Sequence, residues 1–306
     1  MSPKHLLSVR DLSSTQIKKL VQEAVIDGIP NCPAEPQASA VAMIFMEPST
    51  RTRTSFELSA KALGRRTVVL GSKESSLSKD ETLWDTMLNL HAMGCEVFII
   101  RASADVDLEA LRSFTKGPVI NAGAGMLEHP TQALLDLATI WNKTADRSWE
   151  KLKSQRWVMV GDLKRSRVAG SWSTMAEMLG IDLHFVSPPE WAPETLGRGQ
   201  TWTDNLEKGL QGATGVISLR VQKERLSEGQ TWNPRDLENY VKKHQITEKH
   251  LKKGKGLWLM HPGPVNWGVE LETKLLDYER SLILEQVAHG MKVRARLLFD
   301  LLRESA

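Results

Sequence analysis

The sequence has little of several things that would place it in a special class of proteins. It contains 2 cysteines and 2 tyrosines among 306 residues, and its formal net charge is only +3. Cys32 and Cys95 cannot form a disulfide framework, and no Cys-x-x-Cys or Cys/His pair indicates a zinc site. So small a basic surplus excludes an obligate nucleic-acid binder, whose lysines and arginines would form a dominant patch.

Long apolar stretches are also missing. Runs such as residues 97–100 are far shorter than the ~20 residues of a membrane-spanning helix, and residues 1–7 lack the apolar core of a signal peptide. We therefore expect a cytoplasmic protein without membrane spans. The remaining composition, 41% hydrophobic and 25% charged, is typical of a soluble globular protein. A length of 306 residues suggests about two domains.

Short apolar runs alternate with segments of helical periodicity along the chain. The apolar runs predict strands at 41–46, 67–70, 96–101, 118–121, 157–162, 183–186, 216–220 and 257–260. Helical spacing predicts helices at 55–63, 83–93, 130–141, 171–179 and 281–302, and a loop or surface turn at 142–155. This order predicts an α/β fold with two doubly wound parallel-sheet domains that meet near the helix starting at Pro130.

Polar and cationic residues follow the predicted strands, at the end where open α/β sheets bind ligands. Residues 49–55, after the first strand, contain two arginines and five hydroxyl side chains at a helix start. Backbone N–H groups, hydroxyls and guanidinium groups together suit a phosphate. The alternative is an ordinary helix cap with surface charges. The segment is not a Walker loop, because no GxxxxGK[ST] motif occurs.

Further candidates follow other strands. Arg101 ends the third strand, and His129 opens the helix at Pro130, where the helix dipole favours a neutral imidazole. Arg167 and Arg220 follow strands of the second half. Taken singly, Arg101 fits a surface ion pair and His129 fits a structural histidine. Together they predict an anion-binding crevice with contributions from both halves.

At these residues the chain resembles the aspartate and ornithine carbamoyltransferase family. Residues 45–56 are similar to the family's carbamoyl-phosphate signature, and residues 129–136 to its second shared signature. Three further segments, 160–167, 219–225 and 261–266, resemble the aspartate-specific members. Ornithine-specific members carry His-Cys-Leu-Pro where this chain has residues 261–264. The resemblance runs from about Lys4 to the final helix, with the motifs in family order.

The resemblance implies a reaction: transfer of the carbamoyl group from carbamoyl phosphate to the amino group of L-aspartate, in pyrimidine synthesis. It implies a carbamoyl-phosphate-binding domain at 1–136, on which helix 285–306 packs back, and an aspartate-binding domain at 137–284. The active site would lie in the cleft between these domains. No cofactor and no metal are implied.

The resemblance also assigns roles to residues. Carbamoyl phosphate would be held by Ser49, Thr50, Arg51, Thr52, Arg101, His129, Gln132, Gly263 and Pro264. Within that set, Thr52, Arg101 and His129 would donate to the carbamoyl oxygen in the transition state. The carboxylates of aspartate would be bound by Arg167, Arg220, Gln222 and Lys79. Ser75 and Lys79 would reach into the neighbouring subunit's site, which implies a homotrimer. A larger assembly with dihydroorotase or regulatory chains stays open.

The chain departs from the family pattern at four positions. Asp80 and Trp267 stand where Gly and Arg are usual, Ala124 stands where an acid is usual, and Gly170 replaces an Arg that is common in bacterial members. None of them removes a residue expected at the reacting carbon. They bear on loop closure and substrate affinity.

Two alternatives remain open from the sequence. One is a carbamoyltransferase for another amino acid, against which the intact Arg167, Arg220 and Gln222 favour a dicarboxylic acceptor. The other is a catalytically weak subunit that serves as a scaffold for a partner enzyme such as dihydroorotase. A scaffold would have no need to keep all of these site residues together.

Overall fold

The computed structural model describes residues 4–32, 40–71, 81–102, 106–114, 116–125, 128–222, 234–252 and 256–305. The chain divides into two compact units, one of Met1–Ala138 with Val287–Ala306 and one of Thr139–Gln286. Each unit contains one sheet whose strands are all parallel. The predicted α/β class with two parallel-sheet domains is therefore confirmed. No helix in the described ranges is both long and apolar enough to span a bilayer.

The described residues contain nine strands, which are β1 (Ala40–Phe45), β2 (Arg66–Gly71), β3 (Cys95–Arg101), β4 (Val119–Asn121), β5 (Arg156–Val160), β6 (Asp182–Val186), β7 (Thr201–Thr203), β8 (Gly215–Ser218) and β9 (Trp258–Met260). The strand order is β2-β1-β3-β4 in the first unit and β7-β6-β5-β8-β9 in the second.

The α-helices of the same ranges are α1 (Ser14–Ile26), α2 (Thr50–Ala62), α3 (Leu83–Ala92), α4 (Leu108–Arg112), α5 (Pro130–Lys143), α6 (Trp149–Lys153), α7 (Arg167–Leu179), α8 (Leu206–Gly209), α9 (Pro234–His244), α10 (Glu248–Leu251) and α11 (Ile283–Ser305). Local sequence signals set several of these ends. Ser13 and Gln16 form a capping box at the start of α1, and Gly180 ends α7 in the left-handed conformation that glycine adopts without steric cost.

The first sheet is built around the apolar strand β1, all six residues of which are buried. A run without polar alternation is what a central parallel strand covered on both faces requires. At the other side of β4, the backbone of Leu6 exchanges hydrogen bonds of 2.9 Å with Val119 and Asn121. The N-terminal segment thus extends this sheet beyond β4.

The last helix completes the first unit. Leu297, Leu298 and Leu301 of α11 are buried, and the Ser59 hydroxyl in α2 donates a 2.9 Å hydrogen bond to the carbonyl of Met291. Arg294 is buried, donates to the Ser55 hydroxyl at 2.9 Å, and its pKa is lowered to about 10, chiefly by burial.

Some element predictions were wrong. Helix α2 begins at Thr50, which agrees with the helix start predicted at residues 49–55, but α7 begins at Arg167 and not near residue 171. The segment predicted as a loop at 142–155 contains α6. Strand β7 and the helices α1, α4, α8, α9 and α10 were not predicted. Strand β7 and the helices α4, α8 and α10 have three to five residues each, which is too few for periodicity to give a signal.

Candidate active site

Both sheets contain a point where the strand order changes direction. From β1 the chain builds β2 on one side and β3 on the other; from β5 it builds β6 on one side and β8 on the other. Ligands of open parallel sheets bind outside the carboxyl ends of the strands that flank such a point. In each unit, several of the candidate residues from the sequence follow these strands, and the others follow β4 and β9.

In the first unit, residues 49–52 lie just after β1, at the start of α2. Ser49 occupies the N-cap position, but within the described residues its side chain accepts no hydrogen bond from the first turn. Thr52 is buried, whereas Arg51 is exposed. The first turn of a helix carries N–H groups without intrahelical partners and the positive end of the helix dipole, so it favours an anion.

Arg101 ends β3 directly beside the end of β1, because it pairs in register with Phe45. Its Nη1 donates to the carbonyl oxygen of Ala122 at 3.3 Å, and its Nη2 lies 3.6 Å from the Glu47 carboxylate. The guanidinium group is therefore held between the loop after β1 and the loop after β4. Its side chain is only 16% exposed, so its charge is poorly screened by water.

Asn121 organises the loop that leads to His129, and the sequence analysis did not single it out. The fully buried side chain accepts hydrogen bonds from the backbone N–H groups of Gly123 and Ala124, at 2.8 and 2.7 Å. Its amide donates to the carbonyl of Leu7 at 2.9 Å. An asparagine at the end of an apolar strand was the available signal, because a buried amide must be hydrogen-bonded. The departure at Ala124 is accommodated here, since that methyl group is fully buried in the core.

His129 and Gln132 lie at the start of α5. His129 is buried at the residue before the helix, and its carbonyl accepts the first hydrogen bond from the Gln132 N–H at 3.0 Å. The Gln132 amide donates to the buried carboxylate of Asp136 at 2.8 Å. That bond fixes which way the amide of Gln132 points, a constraint that the sequence analysis did not anticipate.

In the second unit, Asp162 follows β5 and connects two loops. Its buried carboxylate accepts hydrogen bonds from Arg165 Nη1 at 3.3 Å and from the backbone N–H of Gln222 at 3.4 Å. The Gln222 amide donates to the carbonyl of Arg165 at 3.1 Å. Burial raises the pKa of Asp162, and the neighbouring Arg165 opposes that rise. The loops after β5 and β8 are therefore tied together at Gln222.

Two arginines of the second unit lie on these same loops. Arg167 is the first residue of α7 and is buried, and the Ser166 hydroxyl caps the helix by accepting from the Ala169 N–H at 3.2 Å. Arg220 follows β8 and is half-buried. Because β5 and β8 are hydrogen-bonded neighbours, both guanidinium groups start from the same edge of the sheet. They are suited to bind carboxylates.

The loop after β9 contains Gly263 and Pro264, joined by a cis peptide bond. His261 is buried, and its Nδ1 accepts a hydrogen bond from the Gly263 N–H at 2.8 Å. The His261 N–H in turn donates to the Gln286 side chain at 2.9 Å. The backbone of this loop is thus held by two bonds close to Gly263.

The remaining predicted site residues, Ser75 and Lys79, and the departure Asp80 lie outside the described residues, as do residues 223–225 of the third aspartate-type segment. Across the described ranges, no group of three or more His, Cys, Asp or Glu side chains is placed to hold a metal ion.

Comparison with known proteins gives consistent matches over both halves. Residues 4–142 match the family model described as aspartate/ornithine carbamoyltransferase, carbamoyl-P binding domain. Residues 153–301 match the model of the Asp/Orn binding domain of the same enzymes. The aspartate carbamoyltransferase catalytic subunit of Thermus thermophilus is 41% identical over 99% of this chain and 100% of its own length. That of Legionella pneumophila strain Paris is 40% identical, over 98% and 99%.

Solved structures are similar over the same extent. The catalytic subunit of M. jannaschii aspartate transcarbamoylase has a TM-score of 0.81 at 26% identity, covering 98% of each chain. The Trypanosoma cruzi aspartate transcarbamoylase in complex with carbamoyl phosphate has a TM-score of 0.82 at 26% identity, covering 98% of this chain and 97% of that one. The same enzyme with carbamoyl phosphate and aspartate has a TM-score of 0.81 at 25% identity.

Proposed function

Because this chain belongs to the aspartate/ornithine carbamoyltransferase family, we propose that it transfers the carbamoyl group of carbamoyl phosphate to the amino group of L-aspartate. The products are N-carbamoyl-L-aspartate and phosphate, in de novo pyrimidine biosynthesis. The observation that carries this function is the placement of cationic and polar side chains at the strand ends that flank the change of direction in each sheet. Relatives named aspartate carbamoyltransferase match nearly the whole chain.

We assign carbamoyl phosphate to the first unit. Ser49, Thr50 and Thr52 offer hydroxyl and backbone N–H donors at the start of α2, and Arg51 offers a guanidinium group for the phosphate. Arg101, His129 and Thr52 donate to the carbamoyl oxygen. The negative charge on that oxygen grows in the tetrahedral transition state, so donors already in place stabilise the transition state more than the substrate.

We assign L-aspartate to Arg167, Arg220 and Gln222 of the second unit. Two guanidinium groups match two carboxylates, and a substrate held at both ends presents its amino group in one orientation. Gln132 and the backbone at Gly263 and Pro264 position the carbamoyl amine. The uncharged amine attacks the carbonyl carbon, the C–N bond forms, the C–O bond to phosphate breaks, and the departing phosphate takes the proton. Catalysis in this proposal is positioning and electrostatics.

The neighbouring subunit completes the site in this proposal. Ser75 and Lys79 of one chain reach the site of the next, so the active unit is a homotrimer, and Lys79 adds a positive charge for aspartate. A larger assembly with dihydroorotase or regulatory chains is compatible with this trimer. The expected location is the cytoplasm, where carbamoyl phosphate and aspartate are both soluble anions.

A direct assay tests the reaction. The purified protein is incubated with radiolabelled carbamoyl phosphate and either L-aspartate or L-ornithine, and the labelled product is separated and identified. We expect labelled N-carbamoyl-L-aspartate. A product formed only with L-ornithine would show that ornithine is the acceptor. No product with either amino acid would favour the alternative of a catalytically weak scaffold subunit.

Replacement of one donor tests the assignment of the carbamoyl oxygen. Arg101→Ala is expected to lower kcat by about 10²-fold or more, as for the loss of a transition-state donor. Arg66→Ala is a matched control, because Arg66 begins the edge strand β2 at the opposite, amino end of the same sheet. Steady-state kinetics of both variants tests the assignment of Arg101 to the carbamoyl oxygen. Near-wild-type turnover in Arg101→Ala would contradict this assignment.

A further inference from the structure

Glu270 is a fully buried carboxylate to which neither the motifs nor the proposed chemistry give a role. It accepts three hydrogen bonds, with Oε1 bonded to the Val221 N–H at 2.6 Å and the Asn266 amide at 2.7 Å, and Oε2 bonded to the Asn266 N–H at 2.9 Å. Val221 belongs to the loop after β8, and Asn266 to the loop after β9. One side chain therefore joins the two loops.

The position of this carboxylate is itself fixed. The carbonyl of Glu270 accepts a 2.9 Å hydrogen bond from the Ile246 N–H, and the Glu272 N–H donates to the Ile246 carbonyl at 2.9 Å. Glu270 thus projects from a short strand-like pairing and not from a free loop. Burial of a carboxylate is costly, and here burial raises the pKa of Glu270. Both oxygens are nevertheless occupied by N–H donors, and two of these donors are backbone groups.

The bond to Val221 acts at the residue between Arg220 and Gln222. On the other side, the N–H of Gln222 donates to Asp162 at 3.4 Å. The backbone of 220–222 is therefore held by two buried carboxylates, Asp162 from the loop after β5 and Glu270 from the segment that follows β9 in the chain. A displacement of about 1 Å in a substrate-holding residue can cost about 10²-fold in rate.

We propose that Glu270 is a positioning residue for the acceptor amino acid: it fixes the backbone at Val221 so that Arg220 and Gln222 meet the carboxylates of L-aspartate. This inference rests on the proposed function, because it takes the aspartate site from there. Glu270 does not touch the substrate. The loop with Gly263 and Pro264 is held by the same carboxylate through Asn266, so it is affected as well.

Two variants separate the contributions. Glu270→Met keeps the length of the side chain and removes all three acceptor bonds. Glu270→Gln removes the buried charge and keeps one acceptor oxygen, so its amide nitrogen faces at least one N–H donor in either orientation. Glu272→Gln is the matched control: Glu272 lies two residues away, and its carboxylate accepts from the Glu248 N–H at 3.0 Å at the start of α10.

Steady-state kinetics in both substrates measures the effect. Because displaced substrate-holding residues bind less well, we expect the KM for L-aspartate to rise about tenfold or more in Glu270→Met and about threefold or more in Glu270→Gln. The KM for carbamoyl phosphate should rise less. Glu272→Gln should keep wild-type constants. Partial unfolding would lower the apparent kcat and leave both KM values unchanged, so the KM distinguishes positioning from stability.

The outcomes separate the two proposals. A wild-type protein that forms no carbamoyl aspartate overturns the proposed function and this inference with it. An active wild type together with a Glu270→Gln variant that folds, as shown by its circular dichroism, and keeps the wild-type KM for aspartate overturns the inference alone. If Glu270→Met does not fold, Glu270→Gln decides, because it places no new apolar group among the N–H donors.

Discussion

At Gly161 a hydrogen atom in place of a side chain allows two strands to approach closely at their carboxyl ends. The residue has φ of +136°, and a Cβ built there would lie 2.7 Å from the carbonyl oxygen of Leu219. Its N–H also bonds to the Val186 carbonyl at 3.1 Å. The loops that carry Arg167 and Arg220 begin at this contact, so the spacing of the two arginines depends on it.

Gly161→Ala is expected to destabilise the protein by about 3 kcal/mol or more, from backbone strain together with the clash at Leu219. Thermal unfolding measures this loss, and the KM for aspartate should rise because the loops are pushed apart. Gly180→Ala is the matched control. It also has a positive φ, of +68°, but no atom lies within 4 Å of its built Cβ, so only roughly 1 kcal/mol of strain is expected. Equal losses in the two variants would refute the contact argument.

Asp162 gives a prediction about pH. Burial raises the pKa of its carboxyl group, so the ionised form costs stability in the folded protein relative to the unfolded chain, in which aspartate titrates near ~3.9. As pH falls through the raised folded pKa, the group takes up a proton and this cost disappears. We expect Asp162→Asn to have a Tm at or above the wild-type value near neutral pH, with the difference shrinking towards acidic pH.

The same substitution should raise the KM for aspartate, because the bond to Gln222 weakens. Asp146→Asn is a control of opposite sign: Asp146 is exposed, and its hydrogen bond with Lys151 lowers the pKa of its carboxyl. That variant should lose stability at neutral pH if it changes at all. Thermal unfolding of both variants from pH 5 to 8 measures these differences in stability. An Asp162→Asn variant that is less stable than wild type at every pH would contradict the expected direction of the change.

Among single residues, the sequence predicts those whose chemistry is unusual for their position. Seven hydroxyl and guanidinium side chains in residues 49–55 cannot be mistaken for core. Asn121 and Glu270 were not found, because what they do depends on partners such as Leu7 and Val221, far away in the chain. For Asn121 the apolar strand before it is a weak local signal, whereas nothing local distinguishes Glu270 from a surface polar group. The sequence indicates no role for Trp202 either. In the structure, its Nε1 donates a hydrogen bond to the Ser187 hydroxyl at 2.9 Å.

At the scale of elements, the sequence predicts the buried strands well and the edges poorly. The run predicted at 41–46 agrees with β1 to within one residue, because a strand covered on both faces must be apolar. The run at 183–186 agrees with β6 equally well, although Asp182 and His184 of that strand are half-buried. Strand β7 has three residues and is partly exposed, so it carries no such requirement. The start of α7 at Arg167 was placed too late, because Gly170 in its first turn is a weak helix former.

Helix α11 offers a clean test of element packing. Leu298 is fully buried and Leu284, in the same helix, is 82% exposed. Leu298→Ala is expected to cost about 2–5 kcal/mol of unfolding free energy, from lost burial and the cavity left behind. Leu284→Ala should stay within about 0.5 kcal/mol of wild type. Chemical denaturation of both variants checks this, and similar midpoints would show that α11 contributes little to the first unit.

For the whole molecule, the small net charge conceals how its charges are placed. The surplus is +3, yet Arg51, Arg101, Arg167 and Arg220 all lie at the carboxyl ends of strands or in the segments that follow them. Within each unit of a nearly neutral protein, cationic side chains are therefore gathered at one edge of the sheet, where they attract small anions. The proposed trimer adds Lys79, which lies outside the described residues.

Mixing inactive variants tests whether sites are shared between subunits. Arg101→Ala and Lys79→Ala chains are expected to be nearly inactive alone. After unfolding and refolding together in equal amounts, about a quarter of all sites would combine an intact Arg101 with a neighbour's intact Lys79. Activity should therefore return to about a quarter of the wild-type value. Refolding each variant alone is the control, and a mixture no more active than its components would exclude sites shared in this way.

The division of the chain into units has a consequence for its synthesis. Unit two, Thr139–Gln286, is continuous, whereas unit one needs Val287–Ala306 as well as Met1–Ala138. On a ribosome adding about 5–20 residues per second, the interval between residue 138 and residue 306 lasts roughly ten to thirty seconds. Throughout it, the surface that Leu298 and Leu301 later cover is exposed to solvent and to other nascent chains. The half of the protein that is translated first is thus the half that finishes folding last.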